Sequence, residues 1–280
     1  MKPETINYSD LEGMDSAWRH ILRHGWSGWC LPVLGLILVS DALMFIKTVS
    51  ILSDGGSSGG GFFYYSIFTL GIYFTLVGQS VRKYRNQIWS RFAAANGWKT
   101  QPAESAQKYL PPSLNFGHSM KFSPLIEAVI GDTPAYLFSY QTTTGSGRDS
   151  HTWDFTVAVA SLPKPMPHMV LRAKGDSGEF RDTVDQDVHL KLEGDFNDYF
   201  KLTIEKGQQV DALTILTPDV MQTLISYSQH EDIELHGNDL YFIVRGDKRD
   251  PQSVKQLVQS VSQLSHQLYE NARLSGTAGR

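Results

Sequence analysis

The sequence predicts an α+β protein with a two-helix transmembrane hairpin at its N-terminus and an antiparallel-sheet domain after it. Two long apolar stretches lie before residue 82, short apolar segments of strand type dominate after residue 98, and two helical segments come late in the chain. The expected division is an amphipathic N-terminal segment at residues 1–25, the hairpin at 26–87 and a cytoplasmic domain at 88–280.

The hairpin prediction rests on apolar spans at residues 26–48 and 62–81, joined by a Gly/Ser loop at 53–61. Each span is close to the roughly 20 residues that a helix needs to cross a bilayer core. A cleavable signal peptide is the first alternative, and the late start and second span disfavour it. Two helices buried in a soluble core are the second alternative, and the apolar surface all around residues 62–81 disfavours it.

Basic residues set the expected orientation. They flank the two spans at Arg19, Arg23, Arg82, Lys83 and Arg85, whereas the loop contains none and Lys47 alone lies near it. The positive-inside rule then places both termini in the cytoplasm, in a multi-pass protein of the bacterial inner membrane with lipid as its partner. A formal net charge of −4 argues against nucleic acid, and the single cysteine, Cys30, excludes internal disulfides and Cys-based zinc sites.

Asp41 lies about 15 residues into the first span, roughly 22 Å deep at 1.5 Å per residue. At equal depth in an antiparallel hairpin we expect Ser66, with Tyr65 and Thr69 nearby. The carboxyl either hydrogen-bonds to these hydroxyls and fixes the helix pairing, which we favour, or belongs to a proton or ion pathway.

The segments that flank the hairpin are predicted to be helical. Ser9 and Glu12 have capping-box spacing before an amphipathic helix, which lies on the membrane surface or packs on the domain. After the second span no helix breaker occurs before Asn96-Gly97, so one helix is expected over residues 62–95, joining the membrane rigidly to the domain.

Strand signals dominate the first part of the domain. Strands are predicted at residues 127–130, 135–142, 151–162, 169–173, 188–193 and 199–204, with turns at 131–134 and 145–148. Residues 233–235 and 240–244 are expected to form a hairpin around a turn at 236–239. Helices begin at Thr217-Pro218 and Asp250-Pro251. The last helix has an apolar face that covers the sheet or pairs with a second copy of the chain: Val254, Leu257, Val258, Val261, Leu264 and Leu268.

Four segments resemble uncharacterised bacterial membrane proteins that have two N-terminal transmembrane helices and a C-terminal domain of unknown function. They are residues 91–98 (RFAAANGW), 110–112 (LPP), 193–196 (EGDF) and 216–221 (LTPDVM), and the resemblance covers most of residues 88–270. It implies membrane location and supplies no catalytic residues.

Several motifs suggest chemistry that their surroundings do not support. His118, His151 and His168 lack the spacing of a metal site, and His168 follows three prolines that indicate a turn. Residues 175–178 (GDSG) match the tetrapeptide around a serine-protease nucleophile, Ser177, without a base or an orienting acid in the expected pattern.

Two further motifs are better explained as turns. The glycines before Arg148 suit a hairpin turn as well as an anion-binding loop, and residues 195–198 (DFND) lack the later positions of a calcium loop.

We therefore expect no cofactor and no metal, and a non-enzymatic membrane-anchored interaction or scaffold protein. The alternatives are a membrane-bound hydrolase that uses Ser177 or a histidine, and a small transporter subunit that uses Asp41.

Overall fold

The computed structural model describes residues 5–14, 17, 30–53, 59–174, 187–192 and 194–277. Residues 12–88 form one compact unit, and residues 1–11 with 89–280 form the other. The two are described in turn.

The first unit contains helix α1 (Cys30–Ser53) and most of helix α2 (Gly59–Ala95). Tyr73 and Val77 of α2 are buried against Val33, Leu34 and Ile37 of α1. In α1, the segment Pro32–Ser50 has a mean hydropathy of 1.8 over 19 residues and is long and apolar enough to cross a membrane. It is the one helix of the described residues that meets this criterion. The second predicted span therefore remains a prediction, although a helix occupies it.

Helix α2 ends where the sequence predicts. Gly97 adopts φ +68°, its N–H donates to Ala94 O at 3.0 Å, and the N–H of Trp98 donates to Ala93 O at 2.9 Å. These two bonds are those of a Schellman C-cap, which uses a residue in the left-handed conformation that glycine adopts without strain.

The N-terminal segment belongs to the second unit. Asn96 ties it to the end of α2, because Asn96 Oδ1 accepts from Asn7 N at 2.7 Å and Asn96 Nδ2 donates to Asn7 O at 2.9 Å. The ring of Tyr8 stacks on Phe92 at 5.8 Å between centroids. Ile6 and Leu11 are buried.

The predicted capping box at Ser9 is wrong. Ser9 begins a 3-10 helix (Ser9–Gly13), and its hydroxyl and its backbone N–H both donate to Asn7 Oδ1. In a capping box, the Ser9 hydroxyl would accept from the Glu12 N–H and the Ser9 N–H would donate to the Glu12 side chain. An asparagine side chain two residues earlier competes for the same donor groups. Most of the predicted amphipathic helix, at residues 15–16 and 18–25, lies outside the described residues.

The domain is built on an eight-stranded antiparallel sheet in the order β1-β3-β4-β5-β7-β6, with β2 paired to β4 and β8 paired to β5. The strands are β1 (Lys99–Gln101), β2 (His118–Phe122), β3 (Leu125–Ile130), β4 (Thr133–Thr144), β5 (His151–Ala173), β6 (Asp187–Leu190), β7 (Phe200–Glu205) and β8 (Asp232–Arg245). This mixture of helices and antiparallel sheet agrees with the predicted class.

Two predicted strands are one strand, β5, and its course corrects the expectation of a turn before His168. The register skips the prolines: Ser161 pairs with Asp239, Met166 with Gly237 and Met169 with Leu235. A proline has no N–H to offer a ladder, so it is tolerated at such irregular positions.

The predicted hairpin at residues 233–244 is also wrong, because β8 continues through residues 236–239 opposite β5. The polar tetrapeptide His236-Gly237-Asn238-Asp239 has turn composition, but β5 provides a pairing partner along its whole length.

Four α-helices complete the described part of the domain. They are α3 (Phe196–Tyr199), where a turn was expected, α4 (Gln209–Ile215), α5 (Pro218–Tyr227) and α6 (Pro251–Thr277). All six apolar residues predicted for one face of α6 are buried inside the domain. The sheet and α5 of the same chain thus cover the apolar face of α6, which by sequence alone is also a pairing surface for a second copy of the chain.

Candidate functional site

A cleft of about 340 Å³ lies between the proline-containing part of β5, helix α4 and helix α6. Strand β5 contributes Lys164, Pro165, Met166 and Pro167, α4 and the residue before it contribute Gln208, Asp211, Thr214 and Ile215, and α6 contributes Leu268 and Asn271. An apolar floor with a few polar groups at this volume is typical of ligand sites. We name it the β5–α4–α6 cleft.

The walls of this cleft follow from local sequence. Pro165 and Pro167 fix φ along β5 and hold the strand apart from regular pairing. On α4, Ala212 and the following Leu216 are buried, which leaves Gln208, Asp211 and Ile215, spaced three and four apart, on the side that faces the cleft.

Gln208 connects the cleft wall to His168. Its Oε1 accepts from the backbone N–H of His168 at 2.7 Å, and its Nε2 donates to Glu205 Oε2 at 2.7 Å. Both ends of the Gln208 amide therefore already make hydrogen bonds within the protein. Gln208 holds β5 against the start of α4 and is not available to adapt to a ligand.

The imidazole of His168 pairs with a fully buried carboxyl. His168 Nε2 lies 2.9 Å from Glu234 Oε1, and the other oxygen, Oε2, accepts from Ser113 N at 3.2 Å. The side chain of Glu234 is 0% exposed and that of His168 is 12% exposed. The ring of His236 meets that of His168 edge-on at 4.7 Å between centroids. A carboxylate that orients an imidazole is also found in general bases, but here no nucleophilic side chain of the described residues is bonded to the imidazole.

A second buried acid lies after helix α5. Burial raises the pKa of Glu231 to about 8, although the hydroxyls of Ser260 and Ser228 nearby act in the opposite direction. Its neighbour Asp232 is also buried and accepts from the backbone N–H of Ala173 at 2.8 Å.

The three histidines singled out in the sequence are not brought together. His118 and His151 are exposed and lie opposite Thr143 and Thr144 at one end of β4. His168 is 17 positions further along β5, on the order of 50 Å of strand at about 3.3 Å per residue. Among the described residues, no group of three or more His, Cys, Asp or Glu side chains is placed to hold a metal ion.

The remaining candidates lie apart from the cleft. Arg148 is exposed in a 3-10 turn (Gly147–Asp149) that links β4 to β5, as the turn interpretation predicts. Ser177 and the rest of the GDSG motif lie outside the described residues.

Asp41 lies beside one of the hydroxyls expected near it, that of Thr69, whereas Ser66, the residue predicted at equal depth, has no hydrogen bond to it among the described residues. Thr69 Oγ1 lies 3.4 Å from Asp41 Oδ1 and 3.1 Å from the backbone carbonyl oxygens of Tyr65 and Ser66. One residue earlier, Ser40 Oγ and Tyr65 OH lie 2.5 Å apart. The Asp41 and Ser40 contacts connect α1 to α2 within the first unit.

A second cleft, of about 430 Å³, lies beside β1 and includes Trp98, Glu127 and Tyr136. The ring of Tyr136 stacks on Tyr109 at 3.8 Å, and a hydrogen bond with Tyr109 raises the pKa of Tyr136 to about 12. Glu127 in this cleft already accepts a hydrogen bond from Gln101.

Sequence reasoning missed Glu231 and Glu234, the two carboxyls that the fold buries most completely. In the segment DIELH at residues 232–236, Asp232 and Glu234 alternate with apolar residues, which is the pattern of a strand whose polar side faces solvent, and Glu231 directly before it lies in a polar run. The segments that bury them come from more than 20 residues away along the chain, so the local sequence contains no signal for their burial.

Comparison with known proteins gives little. The sequence matches no protein-family model and no curated protein. Among solved structures it is similar to the mycobacterial trehalose monomycolate transport factor A, TtfA, with 12% sequence identity and a TM-score of 0.47, over 64% of this chain and 91% of that chain. A similarity of this size transfers no activity to this chain.

Proposed function

We propose that the chain is a two-pass membrane-anchored interaction protein, with both termini in the cytoplasm and the β5–α4–α6 cleft as the binding site of its C-terminal domain. The proposal has three parts, which are the anchor, the topology and the cleft.

The anchor is supported by the outer surface of the first unit. Large apolar side chains face outward along both helices, among them Leu36 at 69%, Leu43 at 62%, Ile67 at 70% and Phe68 at 67% exposure. A surface of this size is not stable in water, and in this length of helix a bilayer is the solvent that matches it. The hydroxyl contacts of Asp41 and Ser40 reduce the cost of placing polar groups there.

The single observation that carries the topology is the contact of Asn7 with Asn96. These residues hydrogen-bond through backbone and side chain, which supports placing the N-terminal segment on the same side of the membrane as the domain. A chain that leaves and returns to one side has crossed the bilayer an even number of times. If α1 crosses once, the first part of α2 crosses back, and the basic residues after it favour the cytoplasmic side.

Cysteine labelling tests this topology. In full-length chains with Cys30→Ser, we expect Ser57→Cys to react with a membrane-impermeant maleimide in intact cells. Ser9→Cys and Gln252→Cys should react only after lysis. Opposite behaviour of Ser9→Cys and Gln252→Cys would show an odd number of crossings and end the proposal.

The cleft is tested by affinity capture from membranes dissolved in mild detergent. We expect the full-length chain to retain a partner, and Thr214→Arg, which fills the cleft mouth with a long charged side chain, to lose it. Gln222→Arg is the matched control, since it adds the same side chain to an exposed position of α5 away from the cleft. Recovery of this chain alone, or equal loss in both variants, would contradict the assignment.

A further inference from the structure

Glu231 lies in the turn between helix α5 and strand β8, against the middle of helix α6. Three segments meet there. The hydroxyl of Ser260 from α6 lies 3.0 Å from Glu231 Oε1 and 2.6 Å from the backbone carbonyl of Tyr227, the last residue of α5. The two side chains are shielded from solvent at this point, because Ser260 is 0% and Glu231 is 2% exposed.

The direction of these hydrogen bonds determines where the protons lie. A carbonyl oxygen only accepts, so the one hydroxyl proton of Ser260 goes to Tyr227 O at the shorter distance. The contact between Ser260 Oγ and Glu231 Oε1 then joins two oxygens with no remaining serine proton. It is a hydrogen bond only if the proton comes from the carboxyl of Glu231.

We infer that Glu231 is held as a neutral carboxylic acid and acts as a proton-operated latch, which fastens the end of helix α5 to helix α6 when protonated and releases it when the proton leaves. An ionised carboxylate at this place would compete with the Tyr227 carbonyl for the single Ser260 proton. One of the two acceptors would then lose its hydrogen bond in a site closed to water.

Burial is what favours the neutral form of the carboxyl, and it outweighs the hydroxyls of Ser260 and Ser228, which lower the pKa. Ser228 faces the carboxyl from the end of α5 and Ser260 from α6, and no charged side chain of the described residues contributes to its shifted pKa of about 8. Of the flanking residues, His230 is exposed and Asp232 is bonded to the N–H of Ala173. No positively charged side chain of the described residues contributes to offsetting an ionised Glu231 there, and the Glu231 pKa of about 8 lies within about one unit of neutral pH.

The latch has a counterpart at the other end of the same helix pair. Asn271 Nδ2 of α6 donates to Oγ1 of Thr217, the N-cap of α5, at 3.2 Å. Asn271 also lines the β5–α4–α6 cleft. Opening at Glu231 would therefore leave the buried apolar face of α6 and the Asn271–Thr217 hydrogen bond at the cleft end to hold α6 against α5, which connects the proton to the wall of the site. This coupling rests on the proposed function, whereas the neutral state of Glu231 does not.

Infrared spectroscopy of the full-length chain in detergent tests the neutral state directly. We expect the carbonyl band of a protonated carboxylic acid at pH 6, loss of this band as pH rises through about 8, and its absence in Glu231→Gln. Asp41→Asn identifies any band that comes from the hairpin instead. A wild-type spectrum without a neutral-acid band at pH 6, or a band that survives in Glu231→Gln, would overturn the inference even if that variant folds poorly.

Release of the latch is tested by amide hydrogen exchange of α6, corrected for the intrinsic pH dependence of exchange. We expect opening of residues near Ser260 to increase about tenfold per pH unit from about pH 4.5, the ordinary pKa of a glutamate, up to about pH 8, and to level off above that in the wild type. Glu231→Gln should show no such rise, and His230→Gln, at the exposed neighbouring position, should behave as the wild type does. Equal pH dependence in all three chains would refute the latch and leave the cleft assignment untouched.

Discussion

Removing the imidazole of His168 is expected to destabilise the C-terminal domain by about 3 kcal/mol. Glu234 is fully buried, and it has two donors, Nε2 of His168 at 2.9 Å and N of Ser113 at 3.2 Å. In His168→Ala the buried carboxylate keeps only the backbone donor. Loss of one partner of a buried pair costs about 3–5 kcal/mol, and the lower end applies because the site of His168 is 12% exposed and water can enter it.

Urea unfolding of the full-length chain in mild detergent, followed by circular dichroism, measures this loss. At a slope of about 1–3 kcal/mol per molar urea, the midpoint should fall by roughly 1–3 M. His236→Ala is the matched control, because its exposed ring touches His168 but is not bonded to Glu234, and it should cost below about 1 kcal/mol.

A double variant separates charge from packing. If the loss comes from an uncompensated carboxylate, Glu234→Gln introduced into His168→Ala should recover about 1 kcal/mol or more. A loss below about 1 kcal/mol in His168→Ala, or no recovery in the double variant, would refute the view that His168 compensates a buried charge.

Two further predictions concern local backbone and helix capping. A Cβ at Gly145 would lie 2.2 Å from the Asp149 carbonyl oxygen at φ +72°, whereas at Gly147 it would meet nothing within 4 Å at φ +58°. In thermal unfolding, Gly145→Ala should therefore lose about 2–4 kcal/mol and Gly147→Ala about 1 kcal/mol, and equal losses would contradict the close contact. At Asp250, burial raises the pKa, but hydrogen bonds from Ser253 outweigh burial and hold the pKa below its usual value. The Asp250 carboxylate therefore stabilises the fold above its unfolded pKa near 4, and this stabilisation is lost as the pH falls below that value. Asp250→Ala should cost about 1 kcal/mol of stability at pH 7. Asp250→Asn should keep most of the cap at the start of α6 and lose the dependence of stability on acid pH. A pH profile of stability that is unchanged in Asp250→Asn would show that the cap does not depend on charge.

Local features of the fold could be predicted where the determining residues are neighbours in sequence. The end of α2 at Gly97 and the N-cap Thr217 of α5 depend on two to four consecutive residues, and both occur as predicted. Equal depth in an antiparallel hairpin predicted Ser66 opposite Asp41, and the contact observed is with Thr69, which is three residues further along the same helix.

Features that depend on distant pairing could not be predicted. The prolines before His168 and the polar residues after Leu235 both have turn composition, yet each segment is kept extended by the other. Strands β5 and β8 pair with each other along these segments, so the turn composition of either segment, read without the other, predicts a turn that does not form.

The candidate site was missed for the same reason. Its three walls come from β5, α4 and α6, which are separated by tens of residues, and the hydrophobic pattern of α6 predicts burial without specifying what lies beside it. Of the candidate site residues named from the sequence and described in the structure, His168 adjoins the cleft, and it does so through Gln208.

The tie between Asn7 and Asn96 has a consequence for biosynthesis. Asn7 leaves the ribosome 89 residues before its partner, so Ile6 and Leu11 have no surface to pack on until the whole hairpin has been made. In the proposed topology, a hairpin that inserts incorrectly leaves these residues on the opposite side of the bilayer from the domain, and the ring of Phe92 then lacks the Tyr8 ring that stacks on it. Correct folding of the domain would then report that membrane insertion has succeeded, and exposed aromatic surface would mark the failures for degradation.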